Sequence, residues 1–177
     1  LALLEEAIAV ARQWVPAALR AQTTFHVYPK DRVGQLTHAL PPVQGDASRL
    51  CEVVLALLEN AIRFSPHGGK IEVVARPASS SAPSTMGETG KAESSFLEIC
   101  ICDYGVGIPS GQLEAIFYPF HRVDQSLTRE VNGPGLGLAL CHHLIARHGG
   151  RIWAESCPAG GSAFHLWVPL AGSPPGR

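Results

Sequence analysis

Apolar residues at Leu3, Leu4, Ala7, Ile8 and Ala11 recur at helical spacing, which predicts an amphipathic helix at the start of the chain, interrupted or bent near Pro16. Alternation over 24–28 predicts a strand. Beyond the connector Pro41-Pro42-Val43-Gln44-Gly45, Asp46 or Ser48 is placed to cap a helix running to about Phe64. Its Leu50, Val53, Val54, Leu57, Leu58, Ala61 and Phe64 fall on one stripe at helical period. Ser65-Pro66-His67-Gly68-Gly69 then turns the chain. Apolar runs at 71–75 and 96–102 read as strands, separated by a Ser-, Pro- and Gly-rich stretch, 78–95, that reads as a long flexible surface loop. A short helix over 112–117, an irregular stretch over 118–132, and a helix over 136–148 stopped by Gly149-Gly150 follow. Strands at 151–156 and 163–169 close the unit, and 171–177 is a frayed tail. The order of elements implies an α/β two-layer sandwich: a mixed sheet covered on one face by about three helices.

Bulk properties narrow the partners. At 177 residues, 46% hydrophobic and 16% charged, the chain holds one domain's worth of core. A net charge of −1 gives no general field toward nucleic acid or anionic lipid, so neither is expected as a partner. Five cysteines without a C-x-x-C spacing point to a reducing compartment. The chain begins at Leu1, carries no signal-like segment and has no run of eighteen apolar residues, so it reads as a soluble piece of a longer protein.

The chemistry gathers around two glycine clusters. Asp103-Tyr104-Gly105-Val106-Gly107-Ile108 follows a buried strand, where the Asp103 carboxylate needs a donor such as an adenine amine and the glycines let backbone approach a flat base. A tight turn with a capping Asp is the alternative. Gly133-Pro134-Gly135-Leu136-Gly137-Leu138 opens a helix, where free N–H groups and the positive end of the dipole suit phosphate. On the helix before Phe64, Asn60 sits beside the apolar stripe with Arg63 and Ala56 further round that flank. Asn60 and Arg63 are thus able to share a ligand, and the Asn60 oxygen suits Mg²⁺. Glu59 points away from the core and reads as a solvated charge. The stretch Phe117-Tyr118-Pro119-Phe120-His121-Arg122-Val123-Asp124 reads as a hinged flap, fastened by Phe117 and Phe120, with Arg122 or Arg129 reaching phosphate. His142, His143 and His148 do not read as a metal site: neighbouring histidines diverge on a helix, and His148 near the helix end reads as dipole chemistry.

Taken in order, LLENAIRFSP, DYGVGIP, FYPFHRVD and GPGLGLAL resemble the N, G1, F and G2 boxes of the catalytic ATP-binding domain of bacterial sensor histidine kinases. GDASRL and the closing HGGRIWAES…GGSAFHLWVPL extend the likeness over 1–170, outside the 78–95 loop. The resemblance implies a Bergerat fold with a mostly antiparallel sheet, as in gyrase, ninety-kilodalton chaperones and mismatch-repair ATPases. It further implies ATP and Mg²⁺ as ligands, with Asn60 on the metal, Arg63 on phosphate, Phe64 flanking the base and Asp103 on the adenine amine. Gly105, Gly107 and Ile108 would shape the base pocket. Phe120, Arg122 and Arg129 would belong to the lid, with Gly133, Gly135, Leu136, Gly137 and Leu138 around the phosphates.

Two departures bear on mechanism. Ala56 stands where many such kinases carry a second Asn and related ATPases carry the Glu that activates water, so no resident base for direct hydrolysis is expected. Pro134 stands where Thr or Ser is frequent, which removes an N–H and a hydroxyl from the phosphate cradle. No His lies in an H-E-x-x-x-P setting, so the phosphoacceptor and the catalytic base are expected on dimerisation helices upstream of Leu1, with a response regulator further along the relay. A cytoplasmic, monomeric module is expected, its parent free to be membrane-anchored. Two alternatives stand beside phosphotransfer to histidine: a degenerate domain that binds ATP without transfer, and a serine kinase of the anti-sigma type.

Overall fold

The computed structural model describes residues 1–15, 22–30, 34–37, 40–65, 67–79, 96–123, 134–157 and 160–172. Residues 80–95 of the expected loop, Arg129, Gly133 and 173–177 of the tail lie outside the described residues. Helix α1 (Ala2–Trp14) leads to strand β1 (Thr23–Pro29), helix α2 (Ala47–Arg63), strands β2 (Gly69–Ala78) and β3 (Phe96–Cys102), helix α3 (Gly137–Arg147), and strands β4 (Arg151–Ser156) and β5 (Ser162–Pro169). The five strands lie in the order β1-β2-β3-β5-β4. Among the described strands only β1 and β2 run parallel; the other three pairings are antiparallel.

Side chains alternate across each strand. Ile71, Val73 and Ala75, Ile99 and Ile101, Leu166 and Val168, and Ile152 and Ala154 join the buried faces of α1, α2 and α3 in one hydrophobic core, so the helices cover one face of the sheet. Helix α1 ends where expected, with Val15 extended (ψ 124°), because a residue before proline avoids helical backbone. Asp46 caps α2 by accepting from the N–H groups of Ser48 and Arg49 at 2.9 and 3.1 Å.

The structure differs from the periodicity reading in two places. Strand β2 runs past Ala75 through Pro77, which lacks a ladder donor; this is tolerated because β1 pairing stops at Pro29 opposite Ala75, so among the described residues no strand pairs with that side of Pro77. The helix expected over 112–117 is two 3₁₀ turns, Ser110–Gln112 and Ala115–Phe117, since so short a run between Gly111 and Pro119 cannot repay α-helix nucleation.

Candidate functional site

At the end of β3 the chain places Asp103 where its N–H donates to the Ser162 carbonyl at 2.9 Å. Asp103 is 1% exposed. Its Oδ1 accepts from the Gly105 N–H at 2.9 Å and the Ser162 N–H at 3.4 Å, and its Oδ2 accepts from the Ser162 hydroxyl at 2.6 Å. A carboxylate offers about four acceptor directions, so Oδ2 keeps one for a further donor. The loop that follows is clamped to the end of α2: the Val106 N–H donates to the Phe64 carbonyl at 3.1 Å, and a Cβ on Gly105 would lie 1.9 Å from that same oxygen. On the other side Gly161, at φ +84°, passes so close that a Cβ would lie 2.1 Å from the Asp103 carbonyl. Gly107 sits at φ +73°, and the Ile108 carbonyl accepts from the Ser156 hydroxyl of β4 at 2.9 Å. Gly161 and Ser162 had no assigned role in the sequence, although GGS stands in the closing motif; the pairing of β5 with β3 is what brings them under Asp103.

The last turn of α2 supplies Asn60, Arg63 and Phe64. Asn60 is partly exposed, and its side chain makes no hydrogen bond to another of the described residues. Arg63, expected to share a ligand with Asn60, instead places Nη2 on the Glu59 carboxylate one turn back. Glu59 is thus a partner of Arg63 rather than a solvated charge alone, which follows from their i, i+4 spacing. Phe64 closes the helix, its N–H donating to the Asn60 carbonyl at 2.9 Å.

The flap is fastened differently from expectation. Phe117 does anchor it, lying edge-on to Phe164 at 6.4 Å and against His142 at 6.0 Å. Phe120 does not use its ring: it is 74% exposed. Its backbone takes φ +63°, a left-handed conformation uncommon for a bulky residue, and its N–H donates to the Gly135 carbonyl at 3.0 Å. Gly135 answers at φ +70°, where a Cβ would lie 2.8 Å from the His121 carbonyl. Thus the stretch around Phe120 and the second glycine cluster are stitched backbone to backbone. His121 bonds Gln112 through Nε2 at 2.6 Å, and Arg122 beside it is exposed. Leu136 precedes α3 and is exposed, Gly137 begins the helix with open space around it, and Leu138 packs on the core.

At the opposite ends of the same two helices, His148 does more than face a dipole. Its Nε2 accepts from the Asp46 N–H at 3.1 Å while Nδ1 faces the Leu144 carbonyl at 2.7 Å, so the two partners fix the proton on Nδ1 and tie the start of α2 to the end of α3. A groove of about 670 Å³ between α1 and α2, lined by Leu3, Trp14, Cys51, Ala56 and Glu59 among others, contains none of the residues placed at the glycine loops. Among the described residues, no group of three His, Cys, Asp or Glu is arranged to hold a metal ion, and no helix is long and apolar enough to cross a membrane.

Comparison with known proteins agrees with this geometry. The family described as histidine kinase-, DNA gyrase B- and HSP90-like ATPase matches residues 45–172. The adaptive-response sensory kinase SasA of Thermosynechococcus vestitus is 38% identical over 131 residues, covering 74% of this chain and 30% of its own length. SasA of Rippkaea orientalis is 35% identical over 138 residues, covering 78% and 31%. The chain therefore spans less than a third of these relatives. Among solved structures, the mycobacterial sensor histidine kinase MprB superposes with a TM-score of 0.66 at 24% identity, over 95% of this chain and 92% of that one. Full-length ShkA, solved in complex with AMPPNP, superposes with a TM-score of 0.63 at 21% identity, over 98% of this chain and 31% of that one. Matched over more than half its length and built on the same sandwich, the chain belongs to the histidine kinase-, DNA gyrase B- and HSP90-like ATPase family.

Proposed function

We propose that residues 1–170 form a module that binds Mg-ATP and donates the γ-phosphoryl group to a histidine on a separate dimerisation domain, as part of two-component signalling. The observation that carries this reading is the Asp103 floor. A buried carboxylate held by Gly105 and Ser162, with an acceptor direction left on Oδ2 and glycines where any Cβ would collide, fits the amine edge of a purine. AMPPNP bound by the structurally similar ShkA supports an adenine nucleotide as the ligand.

Each residue then has a part. Asp103 fixes the base by its edge, and the Phe64, Gly105 and Gly107 backbone shapes the wall beside it. Asn60 would hold Mg²⁺ through its side-chain oxygen, a hard donor suited to that ion. Arg63, Arg122 and Arg129 neutralise phosphate charge. Gly133, Gly135, Leu136, Gly137 and Leu138 bring the start of α3 to the triphosphate, where its free N–H groups favour anions. The bound metal supplies charge neutralisation on the transferring phosphoryl group. Ala56 offers no base for water, so the chain positions and the partner domain accepts. The partners of the whole protein are then its own phosphoacceptor helices and a response regulator, and use of ATP places this monomeric module in the cytoplasm.

The test uses the parent protein's phosphoacceptor helices added in trans with γ-labelled ATP. Acid-labile label on histidine is expected; acid-stable label would instead indicate a serine kinase. Pro134 favours a second reading, nucleotide binding without transfer, because it removes a donor from the phosphate cradle. Tight binding with no label on the helices would establish that second reading.

A further inference from the structure

The sheet face opposite the helices carries a cluster that nucleotide binding does not use. Cys100 and Cys102 project from β3 on that face, their sulfurs 3.4 Å apart. Opposite Cys100 in the register stands His165 of β5, whose Nε2 lies 3.7 Å from the Cys100 sulfur. Its Nδ1 is 3.0 Å from Glu98 Oε1, and its ring stacks on Trp153 at 5.0 Å. Glu98 is only 6% exposed and also accepts from Arg76 Nε at 2.8 Å. A buried carboxylate thus orients an imidazole, and the imidazole faces a thiol that touches a second thiol. Cys102 is joined through one peptide bond to Asp103, the floor of the nucleotide site.

The two thiols differ in character. The hydrogen bond with Cys100, helped by His165 and Cys157, holds the Cys102 thiol below its usual range against its burial and the Glu72 carboxylate. That same bond, then burial, pushes Cys100 up. Cys141, in the core, is pushed up to about 12 by burial. The pair therefore brings one thiol into contact with a second that an oriented imidazole faces, an environment unlike that of the core cysteine.

We propose that Cys102 and Cys100 form a peroxide-reactive dithiol that closes to a disulfide and, resting on the nucleotide reading above, weakens ATP binding at the adjoining Asp103. The Cys102 thiolate attacks one oxygen of a hydroperoxide; the O–O bond breaks, the alcohol (or water) leaves after taking a proton, and Cys102 becomes a sulfenic acid. Cys100 then attacks that sulfur, its proton passing to His165 Nε2 and on to the departing hydroxide, which leaves as water. Two thiols lose two electrons, and the peroxide gains them. Drawing the sulfurs from 3.4 Å to a bonded distance of about 2 Å bends the end of β3, where the Asp103 N–H donates to Ser162.

The full chain, reduced and then treated with one equivalent of hydrogen peroxide, tests this by intact mass, peptide mapping and calorimetry with Mg-ATP. The expected result is a loss of about 2 Da mapped to the 100–102 pair, nucleotide binding at least tenfold weaker, and recovery of both on adding dithiothreitol. Cys100→Ser is expected to stop at a sulfenic acid on Cys102 that dimedone captures. His165→Gln is expected to slow disulfide closure several-fold while leaving sulfenic acid formation intact. No mass loss in the wild-type protein, or a disulfide that maps to Cys102 and Cys157, would overturn the assignment. Equal affinities before and after oxidation would overturn the coupling. Failure of the reduced protein to bind Mg-ATP, with the 2 Da loss still seen, would overturn the nucleotide reading and its coupling while leaving the dithiol established.

Discussion

The two halves of the site are built in different ways. Around Asp103 every element is locked: two N–H groups and a hydroxyl hold the carboxylate, the Phe64 carbonyl pins the loop, and backbones pass too close for any side chain at Gly105 or Gly161. At the phosphate end the groups stand uncommitted or committed elsewhere. The Asn60 side chain bonds no other described residue, Arg63 leans on Glu59, and the Phe120 ring is exposed above a strained backbone. On the proposed reading, a flat, uncharged base would meet a fixed surface, since shape and one edge suffice. On the same reading, a flexible, highly charged chain with a metal would be met by groups that rearrange around it. Preorganisation at one end and adjustability at the other make separable predictions.

The largest effect belongs to the locked half. Gly161→Ala places a methyl 2.1 Å from the Asp103 carbonyl at φ +84°, and it is expected to lower unfolding stability in urea by roughly 2–4 kcal/mol. Gly137→Ala, in open space at the start of α3, is expected to be neutral or to stabilise by up to about 1 kcal/mol. Equal losses for the two would mean that the floor is no more rigid than the lid's root.

Next is Asp103→Asn, which keeps the shape but offers an amide where Oδ2 accepts. Mg-ATP binding by calorimetry is expected to fall at least ~100-fold, about 2.8 kcal/mol, with a thermal melt that shows the domain still folded. Asn60→Ala is smaller, about tenfold, and confined to the metal-dependent part: affinity for ATP in EDTA is expected to be unchanged. A loss of the same size with and without Mg²⁺ would move Asn60 from the metal to the nucleotide.

The same contrast explains what was legible beforehand. The helices and strands follow from local periodicity, and Asp103, Asn60 and the glycine clusters stand out as candidates because their residue types suggest their chemistry. Ser162 and Gly161 were silent, since their role exists only once β5 pairs with β3 and slides under a loop some sixty positions earlier. Phe120 was misread for a related reason. An aromatic residue in a flap suggests a buried anchor, whereas the structure uses its N–H and turns its ring outward. Backbone roles leave little trace in residue type unless glycine marks them, as it does at Gly135. The Cys100–Cys102 pair is hidden by the opposite effect: both thiols lie within an apolar run, and only the alternation of β3 puts them on the face opposite the helices.

The smallest effect sharpens the comparison most directly, because it asks whether the phosphate half is held back by its own contacts. Glu59→Gln removes the carboxylate that Arg63 grips while leaving the arginine in place. Both partners are substantially exposed, so the pair itself contributes only about 0.3–0.5 kcal/mol to stability. If Arg63 must leave Glu59 to reach phosphate, that small contribution is returned on binding, and Mg-ATP affinity is expected to rise about twofold in Glu59→Gln. The gain should be greatest at low salt, where the competing carboxylate is least screened. Arg63→Gln in the same background is expected to erase it. An unchanged affinity in Glu59→Gln would show that the arginine meets phosphate without releasing its partner, so that the phosphate half, like the adenine half, is set before the nucleotide arrives.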